Sequence, residues 1–293
     1  MRDPIFDPIV INQLNIKNRI YMPAMHLGMA VDYEVSDPLV EFYAERARGG
    51  AGLICVGYAT VDELSGNTTN IGAHQDAFVP GLTRLAKAIN ENGACSAVQL
   101  NHAGRYNFSF FLNGQQPVAP SAIASRMTKE TPHALTRDEI HQIIDNFARA
   151  AGRVQAAGFD AVEILSGTGY LISEFLSPLT NQREDDYGGD LNNRMRFGLE
   201  VMQAIRRTVG ADYPVIVRMN GYAFMEDGQD RLALPVNAKA LQAQGRVDAL
   251  SINGGWHEAR LPQITTAVPR GAIDYLARAY KTQVTIPVIY GHR

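Results

Sequence analysis

The sequence predicts an α/β fold with a parallel sheet, on two observations. Seven short apolar segments of β-forming residues recur along the 293-residue chain. Their nearly continuous apolar character is typical of strands that are buried on both faces. Amphipathic segments of helical periodicity separate most of them, and such a strand-then-helix order implies parallel strands with right-handed crossovers. The predicted strands are Ile20–Ala24, Ala51–Gly57, Ala94–Leu100, Phe159–Leu165, Pro214–Met219, Asp248–Ile252 and Ile286–Tyr290.

Five amphipathic segments are predicted to form the helices of this fold. The longest opens with Thr136 and has Glu139 three residues later, which is the spacing of an N-terminal capping box. Glycine follows four of the segments where a left-handed C-cap belongs, at Gly93, Gly158, Gly210 and Gly245. The predicted helices are Pro38–Arg48, Gly81–Asn92, Thr136–Ala157, Asn193–Val209 and Val236–Gln244.

The number of strands favours a barrel that is one strand short. A closed (β/α)8 barrel needs eight strands, whereas the sequence supplies about seven before its final residues, Gly291 to Arg293. We therefore predict a single domain over residues 1–293, a (β/α)8 barrel truncated after about the seventh strand. Either a partner chain or homo-oligomer completes the barrel, or the chain was cut from a longer parent.

Composition and charge exclude several classes of function. The formal net charge is −3 and no basic run occurs, so nucleic acid and membrane surfaces are not expected as partners. No apolar stretch approaches the roughly 20 residues of a membrane helix. The two cysteines, Cys55 and Cys95, lie in apolar runs and are predicted to be reduced, buried thiols of a cytoplasmic protein. They are too few for an iron–sulfur cluster, and no histidine spacing indicates a metal site.

Five stretches of the chain resemble the old yellow enzyme superfamily. The most specific is GFDAVEILSGTGYLISEFLSPLTNQREDDYGGDLNNRMRF, at residues 158–197. Three others are LNIKNRIYMPAMHLGMA, EFYAERARGGAGLICVG and AVQLNHAGR. The fifth, GWHEARLPQITTAVPRGA, resembles the bacterial 2,4-dienoyl-CoA reductase branch in particular. The resemblance implies a TIM barrel that binds FMN, with its active site at the C-terminal ends of the strands.

The resemblance also implies a reaction and two catalytic residues. The expected activity is that of an ene-reductase, in which the flavin gives hydride to an α,β-unsaturated (di)enoyl thioester or carbonyl substrate. Tyr170 matches the proton donor, and a phenol with a pKa near ~10 keeps its proton at neutral pH. His257 matches a histidine that assists protonation near the substrate carbonyl. NAD(P)H is the expected external electron donor.

Further residues match cofactor and substrate positions of the superfamily. The Gln99 carboxamide suits the pyrimidine edge of a flavin, since it offers a donor and an acceptor. Arg218 lies in an otherwise buried strand, where a cofactor anion would offset the cost of an unpaired cation. The residues expected at the cofactor are Pro23, Ala24, Met25, Gly57, Gln99, Arg218 and, at the phosphate, Arg293. Those expected near a small-molecule substrate, such as an acyl-CoA, are His26, Thr180, Asn181, Gln182 and Arg260.

The sequence departs from the superfamily pattern in two places. Many old yellow enzymes carry a histidine pair, or a histidine and an asparagine, where this chain has Leu165 and Thr168. The dienoyl-CoA reductase branch also lacks that pair, which favours the assignment of Tyr170 and His257. Members of that branch continue with an eighth strand, a four-cysteine iron–sulfur segment and a dinucleotide-binding domain, none of which is in this sequence.

Two alternative functions remain open at this point, and a third is disfavoured. A desaturase would use the same residues with reversed electron flow. A redox-inactive barrel, completed by a partner chain, would be a subunit rather than an enzyme. A metal-free barrel lyase is disfavoured, because no lysine ends any of the predicted strands to form a Schiff base.

Overall fold

A computed structural model describes residues 3–226, 228, 233–260 and 268–291. Its main feature is a parallel sheet that curves into a nearly closed barrel. Seven strands follow one another in the order β12-β11-β10-β9-β6-β4-β3, and β5 pairs with β4. The strands are β1 (Ile9–Ile11), β2 (Leu14–Ile16), β3 (Tyr21–Met22), β4 (Leu53–Thr60), β5 (Ile71–Gly72), β6 (Cys95–Asn101), β7 (Val118–Ala119), β8 (His133–Ala134), β9 (Ala161–Ser166), β10 (Val215–Tyr222), β11 (Ala249–Gly254) and β12 (Val288–Tyr290).

The predicted fold class is confirmed, and so is the count of seven barrel strands. Every pairing along the barrel path is parallel. No described strand pairs with the outer edges of β12 and β3. A groove with a volume of about 350 Å³ follows these two edges. Its apolar lining includes Ile9, Ile11, Ile16, Val288 and Ile289.

The helices surround the barrel in the predicted order. Helix α3 begins with the predicted capping box, in which Thr136 and Glu139 each accept a hydrogen bond from the other's backbone. All four predicted cap glycines have positive φ, between 61° and 88°. The helices are α1 (Asp37–Arg48), α2 (Val79–Glu91), α3 (Arg137–Ala156), α4 (Leu171–Leu176), α5 (Leu191–Val209), α6 (Ala233–Ala243) and α7 (Asp274–Lys281). Helices α4 and α7 were not predicted, because each is shorter than the window over which helical periodicity is read from sequence.

One end of the barrel is closed by a hairpin that the sequence did not predict. The Leu14–Asn18 segment suggests a turn, yet Leu14–Ile16 forms β2 and pairs antiparallel with β1. Ile11 and Ile16 are buried on this hairpin and pack into an apolar cluster inside the barrel. This burial exists only once the barrel has formed, which explains why local pattern did not reveal the strands.

Side chains alternate along each barrel strand between the helices and the barrel interior. The interior cluster consists of small and aliphatic residues at the hairpin end, namely Leu53, Cys55, Ala97, Ala161, Ile216 and Ala249. Two residues further along three of these strands, the inward positions become polar: Gln99, Glu163 and Arg218. Cys55 is buried as predicted, whereas Cys95 is only partly buried at the first position of β6. No described helix combines the length and the apolarity needed to cross a membrane.

Candidate active site

Tyr170 and His257 meet at the C-terminal ends of the barrel strands. Tyr170 follows β9 and His257 follows β11, and their ring centroids are 5.1 Å apart. The Tyr170 hydroxyl makes no hydrogen bond to a described residue and is not fully enclosed. Burial raises the pKa of this phenol to about 12, so it keeps its proton at neutral pH. The two predicted catalytic residues therefore lie together, and among the described residues none accepts the phenol proton.

The backbone after β9 turns sharply to place Tyr170. Thr168 has a φ of 58° and Gly169 a φ of 93°, both in the left-handed region. A Cβ on Gly169 would lie 2.2 Å from the Tyr106 hydroxyl oxygen, so only glycine lets this ring approach the turn. Tyr170 then caps α4, where its carbonyl oxygen accepts hydrogen bonds from Glu174 N and Ser173 Oγ.

Two tyrosines that the sequence analysis missed complete an aromatic wall around Tyr170. The Tyr106 ring lies 5.9 Å from Tyr170 and 5.6 Å from His257, both edge-on. The Tyr58 ring lies 5.9 Å from Tyr170 on another side. Tyr58 follows the predicted strand end at Gly57, and Tyr106 lies in the segment directly after β6. Their positions near strand ends could have indicated an active-site role. However, aromatic residues at such positions equally often pack against neighbouring side chains.

The loop that carries His257 is held by a buried ion pair. Glu258 pairs with Arg105, and both side chains are almost fully buried. The Glu258 carboxylate also accepts hydrogen bonds from Tyr106 Oη at 3.2 Å and Ser125 Oγ at 2.9 Å. Because a buried charge is costly without partners, these contacts are required for Glu258 to remain inside. The network fixes the His257 loop against the segment after β6.

The environment of His257 favours its neutral form. Burial lowers the pKa of the imidazole, and the nearby Glu258 carboxylate only partly opposes this. Its Nε2 is buried and has no hydrogen-bond partner among the described residues. A neutral imidazole carries one N–H donor and one acceptor nitrogen. His257 therefore fits a role in hydrogen bonding to a bound polar group better than a role as a permanent cation.

Gln99 on β6 and Arg218 on β10 are two polar residues at inward positions of the barrel strands. Gln99 Nε2 donates to Glu163 Oε1 at 2.7 Å, while no described residue donates to Gln99 Oε1. Arg218 is partly exposed and donates no hydrogen bond to a described residue. The Gln99 carbonyl acceptor and the Arg218 guanidinium match the N–H and carbonyl groups of a flavin pyrimidine edge. The residues present thus fit the expected cofactor.

Other predicted cofactor residues surround the same end of the barrel. Pro23 and Ala24 directly follow β3 and are partly buried, and Met25 is 43% exposed. Gly57 has a φ of 130°, and a Cβ there would lie 2.9 Å from the Gln99 carbonyl oxygen. Strand packing alone therefore demands glycine at this position, and its contact with cofactor stays a prediction. Arg293 lies outside the described residues.

The predicted substrate residues fall into two groups. His26 lies near the aromatic wall, 6.3 Å from Tyr58, and contacts Thr69 and Asn70. Arg260 is exposed three residues after His257 and forms no ion pair with a described residue.

The second group lies in the loop after α4. Thr180 Oγ1 donates to the Glu174 carbonyl at 2.7 Å. Asn181 Nδ2 donates to the carbonyls of Phe175 and Tyr187, also at 2.7 Å. These bonds engage both buried side chains within the loop, whereas Gln182 is exposed. Substrate contact by Thr180, Asn181 and Gln182 stays a prediction, and the first two have a structural role.

Comparison with known proteins gives three informative similarities. A metal reductase of Desulforamulus reducens is 50% identical over 99% of this chain, which covers 43% of that protein. A solved complex of 2-naphthoyl-CoA reductase with 2-naphthoyl-CoA has a TM-score of 0.94 and 33% identity, covering 98% of this chain and 46% of that one. An old yellow enzyme homologue from Zymomonas mobilis has a TM-score of 0.84 and 28% identity, covering 99% and 82%.

The first two similarities show that this chain spans less than half the length of those relatives. A family model described as NADH:flavin oxidoreductase / NADH oxidase matches residues 4–290, nearly the whole sequence. The predicted kinship with the old yellow enzymes is confirmed. The chain belongs to the NADH:flavin oxidoreductase / NADH oxidase family.

Proposed function

We propose that this barrel binds FMN and reduces the C=C bond of an α,β-unsaturated thioester or carbonyl compound, with NAD(P)H as the electron donor. The main support is the position of Tyr170 and His257. Their rings lie side by side at the C-terminal ends of the barrel strands, and two of those strands carry Gln99 and Arg218 at inward positions. The Tyr170 hydroxyl makes no hydrogen bond to a described residue, and the His257 ring lies 5.1 Å from the Tyr170 ring, centroid to centroid. A protonated phenol beside a neutral imidazole suits the delivery of one proton to a polarised double bond.

Each residue has a separate task in this reaction. FMN, when bound, supplies the hydride for one carbon of the double bond. Tyr170 holds the proton that the neighbouring carbon receives, since burial keeps the phenol un-ionised. His257 orients the substrate carbonyl by a hydrogen bond, which makes the double bond more electrophilic. Arg218 places positive charge beside the pyrimidine edge of the cofactor, where negative charge accumulates on reduction.

A thioester is the favoured class of substrate. Support comes from the 33% identity to the 2-naphthoyl-CoA reductase, whose solved complex contains an aromatic acyl-CoA. The aromatic wall of Tyr58, Tyr106 and Tyr170 suits a conjugated acyl group, since aromatic rings pack edge-on against other π-systems. Arg260, exposed beyond His257, could pair with a phosphate of the CoA moiety. The desaturase reaction would use the same groups in reverse.

The test begins with the visible absorption spectrum of the purified protein, before and after addition of FMN and desalting. We expect flavin bands to survive desalting. The protein is then reduced with NADPH or NADH without oxygen and mixed with 2-enoyl-CoA or 2,4-dienoyl-CoA. Reoxidation of the flavin with formation of the saturated bond would support the reductase. A protein that retains no flavin, or whose reduced flavin is reoxidised by no unsaturated compound, would contradict it.

We further propose that an eighth parallel strand, from a longer form of this chain or from a partner chain, occupies the groove between β3 and β12. The support is the pair of open strand edges together with the apolar lining of that groove. Native mass spectrometry of the protein from its source cells tests this. A longer polypeptide or a stable complex is the expected result, and its composition identifies the source. A lone 32.1 kDa species with bound FMN would refute the proposal.

A further inference from the structure

Glu163 is a fully buried carboxylate inside the barrel that the proposed reaction does not use. It lies on β9 and is 0% exposed. Its Oε2 accepts a hydrogen bond from the Tyr21 hydroxyl at 2.7 Å, and its Oε1 accepts one from Gln99 Nε2, also at 2.7 Å. The Cys55 thiol approaches Oε1 at 3.7 Å. The carboxylate therefore joins β3, β4 and β6 to its own strand, directly beside a predicted cofactor residue.

The chemistry of these groups determines which way the Gln99 carboxamide points. Both oxygens of Glu163 act as acceptors, one from the Tyr21 hydroxyl and one from the Gln99 amide, so the amide turns its nitrogen towards Glu163. Turning the amide over would bring two acceptor oxygens together in a buried site. The opposite side of the amide then presents Oε1, to which no described residue donates. The interior thus offers a carbonyl acceptor of defined direction, and a ligand at this point must supply the donor.

We propose that Glu163 is a positioning residue that fixes the Gln99 carboxamide, so that Gln99 Oε1 accepts the N3–H of FMN. The inference rests on the proposed binding of FMN. The oxidised isoalloxazine ring carries one N–H group, at N3, and the rest of its pyrimidine edge is made of acceptors. Only an amide with its oxygen facing the ring can satisfy that donor. Glu163 therefore determines recognition of the cofactor without touching it.

The surroundings of Glu163 keep this arrangement rigid. Burial is the main cause that raises the pKa of Tyr21 far above its ordinary value, so its hydroxyl remains a donor to Oε2. Burial likewise raises the pKa of the Cys55 thiol, which stays protonated. Arg218 lies across the interior on β10 and interacts electrostatically with both groups. Both carboxyl oxygens thus accept from hydrogen-bond donors, which holds Glu163 in place beside the Gln99 amide.

The experiment compares the binding of FMN and of N3-methyl-FMN, which lacks the N–H, to the whole protein by flavin fluorescence. Wild-type protein should prefer FMN. In Glu163→Gln the new amide can face Gln99 with either end, so we expect the Kd for FMN to rise roughly tenfold or more. The Kd for the methylated flavin should change much less, and the preference should shrink. If Glu163 had a purely structural role, the substitution would weaken the binding of both flavins equally and leave the ratio of their Kd values unchanged.

Two further variants make the result decisive. Tyr21→Phe removes the other hydrogen bond to the same carboxylate but leaves the bond to Gln99, so the preference for FMN should persist. Glu163→Asp withdraws the carboxylate from Gln99 while keeping its charge, and should lose the preference even if Glu163→Gln folds poorly. In a protein that already carries Gln99→Leu, Glu163→Gln should have no further effect on the ratio of the two Kd values, because the amide that Glu163 orients is gone.

The possible failures are distinguishable. If wild-type protein binds neither flavin, both the proposed function and this inference are overturned. If it prefers FMN and Glu163→Gln keeps the full preference, only the inference about Glu163 is overturned.

Discussion

The two ends of the barrel interior contrast sharply in composition. Near the β1–β2 hairpin the inward side chains are aliphatic or small, including Leu53, Ala97 and Ile216. Two residues further along β6, β9 and β10, the inward positions hold Gln99, Glu163 and Arg218. The cluster at the hairpin end is mainly aliphatic, whereas at the other end no described residue pairs with the Arg218 guanidinium or donates to Gln99 Oε1.

This contrast indicates that the residues that stabilise the fold and the residues that bind ligand lie at opposite ends of the barrel strands. Apolar burial at the hairpin end stabilises the fold in proportion to the area removed from water. The polar end contributes less to stability, because a buried polar group without a partner costs free energy. Retaining such groups at the carboxyl ends of the strands is expected where a ligand supplies the missing partners. Substitutions at the two ends should therefore separate catalysis, cofactor binding and folding.

The largest effect is expected from Tyr170→Phe, beyond the polar end. Removing the phenol proton should reduce turnover by roughly 10²–10⁴-fold, the usual effect of losing a general acid. The retained ring should leave FMN binding unchanged. Stopped-flow measurement of the half-reaction with unsaturated thioester checks this, separately from reduction by NAD(P)H. Tyr106→Phe is the matched control and should have a smaller effect. Unchanged turnover in Tyr170→Phe would remove that residue from the mechanism.

At the opposite end, Ile216→Ala should affect folding alone. A buried isoleucine replaced by alanine typically costs about 2–5 kcal/mol of unfolding free energy, because a cavity remains. Ile216 is 0% exposed among the other aliphatic residues of this end. Urea unfolding measures the loss, and FMN titration of the folded variant should give the wild-type Kd. A large change in Kd without a loss of stability would contradict the separation of the two ends.

In contrast to Ile216→Ala, Arg218→Ala should weaken FMN binding and leave the stability of the fold nearly unchanged. Hydrogen bonds to charged groups contribute about 1.5–3 kcal/mol, so loss of the guanidinium should weaken FMN binding roughly 10- to 100-fold. The melting temperature of the flavin-free protein should change little, since Arg218 donates no hydrogen bond to a described residue. Arg218→Lys keeps the charge and should bind FMN more tightly than Arg218→Ala. Full flavin occupancy in Arg218→Ala would exclude its assigned role.

The smallest effect concerns acid sensitivity at the active-site end. Burial lowers the pKa of His102, which the Asp62 carboxylate at 3.4 Å from Nε2 only partly opposes, and Nδ1 accepts a hydrogen bond from Gly104 N at 3.1 Å. Below about pH 6.5, the ordinary pKa of histidine, the unfolded chain binds a proton that the folded protein resists. Stability should therefore fall as the pH drops from 7.5 to 5.5. His102→Asn keeps an acceptor without titrating, so its urea midpoint should fall less over that range. If the urea midpoints of His102→Asn and of the wild-type protein fell equally, His102 would not be a source of the acid sensitivity.

The local sequence pattern located the barrel strands correctly but predicted the residues at which they end less well. The predicted Pro214–Met219 strand extends to Tyr222, and the predicted Ala51–Gly57 strand continues to Thr60. In the second case the register with β6 shifts between Gly57 and Ala59. Such an irregularity depends on the neighbouring strand, which the local sequence does not describe. The β1–β2 hairpin was missed for the same reason, since its residues are buried only by the completed barrel.

For the site, motif resemblance located residues but not their partners. Tyr170 and His257 were predicted separately, 87 positions apart in the numbering, and they meet in space. Glu163 had been assigned only to a strand, and Glu258 only to the motif around His257. Their importance arises from contacts with Gln99 and Arg105 on distant segments. No feature of local sequence distinguishes a carboxylate that accepts such bonds from one that faces solvent.

The sequence by itself determined the order of the seven barrel strands and of the five longer helices, the family, and the choice of Tyr170 and His257 as candidate catalytic residues. These follow from periodicity and from short motifs, both of which are local. Only the tertiary structure decided that Tyr58 and Tyr106 enclose Tyr170, that Glu258 is buried against Arg105, and that Glu163 directs the Gln99 amide. These contacts join strands and loops distant in the chain, and hydrogen-bond direction is defined only once both partners are in place.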